Sequence, residues 1–199
     1  MKTSYNIIDI RKAKPEDRLY FFDANIWLFI IDRATNPTKR ELPYLEFWDN
    51  LTALSSGEKK VVAVNSTLVS EILNTFLRIK FKSYQDELIQ FHNEPATKVR
   101  ELKFKVDYRS TQRYKDDILQ FSSEFAAYSY YIQFLNDSSD KIDLVSLLEE
   151  MPSYSDFNDF FYYKFCIHYN LPIITDDGDF RFKNLPIITA NNNLLKIRS

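Results

Sequence analysis

The stretch LYFFDANIW (residues 19–27) decides the fold: a short apolar run ends at Asp23, and an apolar helix starts behind it. A carboxylate directly after a buried strand is costly to desolvate unless a cation meets it. The junction recurs along the chain. Lys60-Val61-Val62-Ala63-Val64 reads as a β-branched strand, after which Ser66 or Thr67 caps a helix carrying Leu68, Ile72, Leu73 and Phe76, with Glu71 in its second turn. Pro172 to Thr175 forms a strand running into Asp177, and Pro186 to Thr189 forms the last one. Ile142-Asp143-Leu144-Val145 reads as a short third strand, after Val64 and before Pro172. Leu42 to Leu54 has helical spacing at Leu42, Leu45, Trp48 and Leu51 and stops near Ser55-Ser56-Gly57. Asp156 to Tyr169 is helical, with Phe160, Tyr163 and Ile167 on one face.

Strands alternating with helices predict an α/β fold: a three-layer α/β/α sandwich around a mainly parallel, roughly five-stranded sheet. A mostly helical insertion is expected at about residues 80–135 of a single domain spanning 1–199. At 199 residues and 45% hydrophobic content the chain can bury a substantial core. No apolar run has the length of a membrane span, and residues 1–10 lack a signal-peptide core, so no membrane contact is expected, and the single cysteine points to a reducing, cytoplasmic setting. One cysteine, Cys166, excludes an internal disulfide framework and a cysteine-rich zinc site. Two histidines, His92 and His168, do not make a histidine metal cluster, and two glycines leave no room for a Walker A or GxGxxG loop.

The chemistry therefore rests on carboxylates. Sites in open parallel sheets form beyond the carboxyl ends of the strands. Asp23 and Asp177 are delivered there by their strands, Glu71 lies about a helical turn further on, and Asp159 stands near a helix start, where the macrodipole favours an anion. Taken singly, an aspartate at a strand end is more often a cap or turn former. Four together repel one another unless a cation is present, and Mg²⁺ or Mn²⁺ is the natural partner of hard oxygen ligands. Asp23, Asp159 and Asp177 are the expected metal ligands, and Glu71 is a water-mediated ligand or the acceptor of the nucleophile's proton. Asn25 and Thr175 suit hydrogen bonding to those ligands. Asp156 reads as the cap of its helix and Asp179 as the end of an Asp-Gly turn; both are reserve carboxylates. Cys166 reads as a small core residue, His168 as an exposed one, and Tyr162 and Tyr163 as packing groups.

The chain resembles the PIN-domain nucleases, which include the VapC-type ribonucleases of bacterial toxin–antitoxin pairs. FFDANIW resembles the family's first motif, SEILN the second, DFFYYKFCIHYNLPIITDDGDF the long third block, and LPIITANNNLL the closing strand and turn. The resemblance implies metal-dependent endonucleolytic cleavage of RNA, carried by Asp23, Glu71, Asp159 and Asp177, with a cognate antitoxin and a homodimer as partners. Two features depart from the family. Tyr163 and Lys164 stand where small residues usually pack on the sheet, which implies a wider helix-to-sheet spacing, and the chain is lengthened between Arg78 and Phe134.

Two rival functions follow from the same residues. A haloacid-dehalogenase-like phosphatase would use Asp23 as nucleophile, but it wants a second aspartate where Asn25 stands. A PIN-fold module that binds RNA or protein without cleaving would keep the fold and need no metal. The long central segment bears on the substrate. From Arg78 to Lys115 there are ten basic residues against five acidic, and from Leu135 to Phe180 two against ten. Phe81, Tyr84, Phe91, Phe104, Tyr108 and Tyr114 lie among the basic ones. One reading is a nucleic-acid arm with Lys103 and Lys105 on phosphates and aromatics on bases. The other is an amphipathic helical pair with its aromatics packed inward.

Overall fold

Six parallel strands order as β1-β6-β5-β2-β3-β4 in the computed structural model, which describes residues 5–33, 37–55, 59–137 and 141–197. The strands are β1 (Asn6–Asp9), β2 (Tyr20–Phe22), β3 (Val62–Val64), β4 (Ile132–Phe134), β5 (Ile173–Ile174) and β6 (Pro186–Thr189). The helices are α1 (Ala24–Ile31), α2 (Leu42–Leu54), α3 (Ser66–Phe91), α4 (Ala96–Arg100), α5 (Gln112–Ala127), α6 (Leu144–Glu150), α7 (Phe157–Tyr169) and α8 (Asn192–Ile197). A π-helical turn covers Phe104–Tyr108. The chain divides into two compact units, 1–69 with 129–199, and 70–128.

In the first unit, period-two alternation along β2 sends neighbouring rings to opposite faces of the sheet. Phe22 meets Trp48 of α2 edge-on at 5.4 Å, and Trp48 meets Trp27 of α1 at 5.6 Å. Tyr20, two residues back on the same face, meets Phe47 at 5.6 Å. Phe21 faces the other way, onto Tyr162 and Phe165 of α7 at 5.1 and 5.4 Å. Helices thus cover both faces of the sheet, giving the three-layer α/β/α sandwich.

Several boundaries differ from the sequence reading. The sheet has six strands, not five. The edge strands β1 and β4 are half-exposed, so neither carries the continuous apolar run that marks a central strand. β4 also falls inside the stretch expected to be helical, so the insertion ends before residue 129. Residues 142–145 are not a strand. Asp143 caps α6, its carboxylate accepting from the Val145 and Ser146 N–H groups and the Ser146 hydroxyl. The cap of α3 is Asn65, whose Oδ1 accepts from Leu68 N–H at 2.8 Å, rather than Ser66 or Thr67. The buried face of α7 runs through Phe160, Phe161, Tyr162, Phe165 and Cys166, while Tyr163 is half-buried and Ile167 is exposed. Tyr163 stacks on Phe182 at 4.5 Å, and Lys164 pairs with Glu150. Of the expected α2 stop, Ser55 is the C-cap, and Ser56 and Gly57 lie outside the described residues. No described helix is long and apolar enough to cross a membrane.

The α6 cap makes a pH-dependent prediction. Bonds from the Ser146 hydroxyl and then from the two amides hold the Asp143 carboxyl below its ordinary value of 3.8. A depressed folded value means that the cap's contribution is complete above the unfolded value and is lost as pH falls through the folded one. The Val145 and Ser146 amide shifts are expected to titrate with a midpoint below 3.8. A midpoint at or above it would remove the cap.

In the second unit, the aromatics expected among the basic residues turn inward. Tyr108 is fully buried, with the rings of Phe81, Tyr84, Phe104 and Tyr114 at 5.2, 5.7, 5.6 and 5.4 Å. Arg78 and Arg109 lie over the Phe104 ring at 5.5 and 5.2 Å, so part of the positive charge packs on the cluster itself. Phe91 is the exception, 75% exposed. Lys103 and Lys105 are exposed at the π-helical turn.

Candidate functional site

The sheet order puts β2 and β5 side by side while their onward connections run opposite ways, β2 to β3 and β5 to β6. That is a topological switch point, and the crevice at its carboxyl edge is the place where open α/β sheets hold ligands. Asp23 ends β2 and Thr175-Asp176-Asp177 follow β5, so the two acidic motifs meet there by topology.

Thr175 joins them. Its hydroxyl donates to Asp23 Oδ2 at 2.7 Å and accepts from the Asp177 N–H at 3.0 Å. Thr175 is fully buried and Asp23 is 5% exposed. The second Asp23 oxygen caps α1, accepting from Ala24 N–H at 2.7 Å. A buried carboxylate held by a hydroxyl and a helix N-terminus is pre-oriented as well as desolvated. Asp177 is half-buried, and its Oδ1 accepts from Asp179 N–H at 2.8 Å, closing the Asp-Gly turn. Asp179 is exposed and paired with Arg181, as a turn residue would be.

Asp159 lies in the first turn of α7, on the same side of the sheet as Phe21. It precedes Tyr162 and Cys166 at spacings of three and seven, which puts it on the flank of the buried face. Cys166 is within electrostatic reach of Asp23: complete burial first, and the Asp23 charge second, push its thiol well above the ordinary value. Asp156 caps α7 through the Asp159 N–H at 2.9 Å, as its sequence context indicated. Glu71 lies in the second turn of α3, half-buried, and belongs to the second unit. Among the described residues, no three or more His, Cys, Asp or Glu side chains are gathered closely enough to hold a metal ion.

Sequence reasoning passed over several participants. Asp176, the neighbour of the expected ligand, is 5% exposed and forms an ion pair with Arg40. Its Oδ1 accepts from the Tyr44 hydroxyl at 2.6 Å. The Tyr44 oxygen in turn accepts from Ala190 N–H at 2.8 Å. Burial, then Asp176, push the Tyr44 hydroxyl far above its ordinary value, and Asp176 raises that of Arg40. Asn25 Oδ1 lies 3.5 Å from the Asp176 N–H. Nothing in the sequence separates Asp176 from Asp177, because the distinction depends on Arg40 and Tyr44, which come from elsewhere in the chain. Asn65 was likewise unmarked. Phe21 is paired with Ala63, so two residues on it stands beside Asp23. It is fully buried, and its Nδ2 has no hydrogen-bond partner among the described residues.

Comparison with known proteins gives no matching family model, no matching curated protein and no matching solved structure.

Proposed function

We propose that this chain is a divalent-metal-dependent endoribonuclease whose site is the crevice between the carboxyl ends of β2 and β5. The observation that carries the reading is the shared Thr175 hydroxyl, which ties the buried Asp23 carboxylate to the segment bearing Asp177 at a switch point. RNA as the substrate, and a toxin–antitoxin setting, rest on the PIN resemblance of the acidic motifs.

The donor chemistry fits Mg²⁺ or Mn²⁺. Asp23, Asp159 and Asp177 offer hard oxygens, and the one nearby soft group, the Cys166 thiol, is held protonated by its burial. Such an ion, when bound, supplies positive charge beside the scissile phosphate and lowers the pKa of a water. Thr175 fixes the direction of the Asp23 carboxylate, and Asp177 is oriented through its backbone. The second reading is a module of the same fold that binds RNA or protein without cleaving.

Single-stranded RNA should be cleaved with Mn²⁺ or Mg²⁺ and left intact with EDTA. RNA left whole by active-folded protein across both metals would sink the nuclease, and a calorimetric titration showing no Mn²⁺ site would favour the binding module. Thr175→Val is expected to lower metal-dependent cleavage by roughly 10- to 100-fold, the usual cost of losing a group that orients a ligand. Unchanged cleavage in that variant would remove Thr175 from the site.

A further inference from the structure

Asp176 poses a physical question that the proposed chemistry leaves open. It is a nearly buried carboxylate between Thr175 and Asp177, yet its oxygens are committed to Arg40 and Tyr44. A buried charge is retained only when its partners compensate it, and here the partner is on the surface: Arg40 is 68% exposed against 5% for Asp176. Asp176 engages Arg40 through Nε, and the Phe29 ring lies 5.9 Å from the guanidinium carbon. The terminal nitrogens of Arg40 make no hydrogen bond among the described residues. Asp176 therefore acts as an anchor that presents one free edge of a guanidinium.

That edge opens into a cavity of about 470 Å³ at the carboxyl ends of β5 and β6, lined by Arg11, Lys39, Arg40, Asn191, Asn192 and Asn193 together with Asp176. Asp9 binds Arg11 through Nε and Nη2 at 2.7 and 3.0 Å, fixing its direction. Lys39 has no ion pair or hydrogen bond among the described residues. Asn191 is held by its own bonds: Nδ2 donates to the Asp176 carbonyl at 2.6 Å, and Oδ1 accepts from Asn193 N–H at 2.9 Å. Arg11 and Arg40 are each paired with one carboxylate, Asp9 and Asp176, so Lys39 leaves the local balance at +1.

We propose that this cavity holds a backbone phosphate of the RNA strand, next to the phosphate being cleaved. The inference rests on the nuclease reading and adds how the substrate is held. The Asp23 and Asp177 carboxylates repel a polyanion, so a strand needs cationic groups close beside them to be retained. The Arg40 cavity stands one residue from both Thr175 and Asp177. A guanidinium with one edge anchored on a carboxylate offers its other edge in the planar geometry that phosphate oxygens take. An internal phosphodiester is the assigned ligand, in preference to a free phosphate ion.

The test measures binding of a fluorescently labelled single-stranded oligoribonucleotide in EDTA across a range of salt, with cleavage in Mn²⁺ assayed in parallel. Lys39→Glu leaves the Arg40–Asp176 pair intact, and Arg40→Gln removes the charge; melting temperatures check that both variants fold. Each is expected to weaken RNA binding roughly five- to tenfold and to reduce the slope of log affinity against log salt by about 0.7, the share of one phosphate contact on a single strand. Unchanged affinity and slope in both variants would overturn the cavity's role while metal-dependent cleavage by the wild type kept the nuclease standing. RNA binding with the expected loss but no cleavage in any metal would do the reverse. Inorganic phosphate that stabilises the wild type, with RNA slopes unaltered in both variants, would make the cavity a small-anion site and also overturn the proposal. A wild type that binds no RNA overturns it outright.

Discussion

Asp23→Asn is expected to abolish metal-dependent RNA cleavage, by at least about a thousandfold, while leaving the fold intact. The magnitude follows from the role assigned to Asp23: a metal's charge beside a reacting phosphate is worth several kcal/mol, and each 1.36 kcal/mol is tenfold in rate. Stability should move the other way. Asn offers one carbonyl oxygen, which can keep the bond from Ala24 N–H, while its amide nitrogen meets the Thr175 hydroxyl as a donor, a bond that the hydroxyl can accept. The substitution also removes a desolvated charge from a site that is 5% exposed, so the metal-free variant should melt at the same temperature as the wild type or higher. Mn²⁺ should then stabilise the wild type and not the variant, since binding to the folded state alone raises stability by mass action. Cleavage by Asp23→Asn within a factor of a few of the wild type, in a preparation free of contaminating nuclease, would remove Asp23 from the mechanism. A variant that fails to fold would instead show that the carboxylate is structural.

How much of this was legible before the structure depends on what each residue's meaning requires. The central strands β2, β3, β5 and β6 were visible because each is a compact apolar run on a buried line. The edge strands β1 and β4 were not, because half-exposed strands lack such a run. Residues 142–145 show the limit of reading apolar clusters as strands: Asp143, placed inside a strand, is the cap that starts a helix. In the candidate site, Asp23, Thr175 and Asp177 could be placed from local pattern, since strand ends and turn residues fix them. The role of Asp176 could not, because its meaning is supplied by Arg40 and Tyr44, more than a hundred residues away in sequence. Asn65 was hidden for a similar reason. Only the pairing of β2 with β3 reveals that it stands beside Asp23.

The basic, aromatic central segment offered two opposite readings, and Tyr108 turns the choice between them into a measurement of stability. Five rings converge there, and the Tyr108 hydroxyl donates to Asp117, which is 3% exposed. Asp117 also accepts from Arg113 Nε at 3.2 Å, and Arg113 continues to Glu87 through two bonds of 2.9 and 3.1 Å. Burial first, then Asp117, raise the Tyr108 hydroxyl well above its ordinary value, so it remains a donor at any physiological pH. Removing the ring takes away a fully buried aromatic and leaves Asp117 short of a partner. Tyr108→Ala is therefore expected to cost about 3–5 kcal/mol, the range for deleting a buried aromatic side chain. Tyr108→Phe deletes only the hydroxyl and should cost about 1–3 kcal/mol. Denaturant unfolding gives the totals, and amide exchange should show the loss within residues 70–128. A ring used as a base-stacking platform behaves differently: Tyr108→Ala would then leave unfolding within about 1 kcal/mol of the wild type and cost about 1–3 kcal/mol of RNA affinity instead. The ordering Ala far below Phe, with Phe below wild type, is the signature of packing, and its reversal would return these aromatics to the nucleic acid.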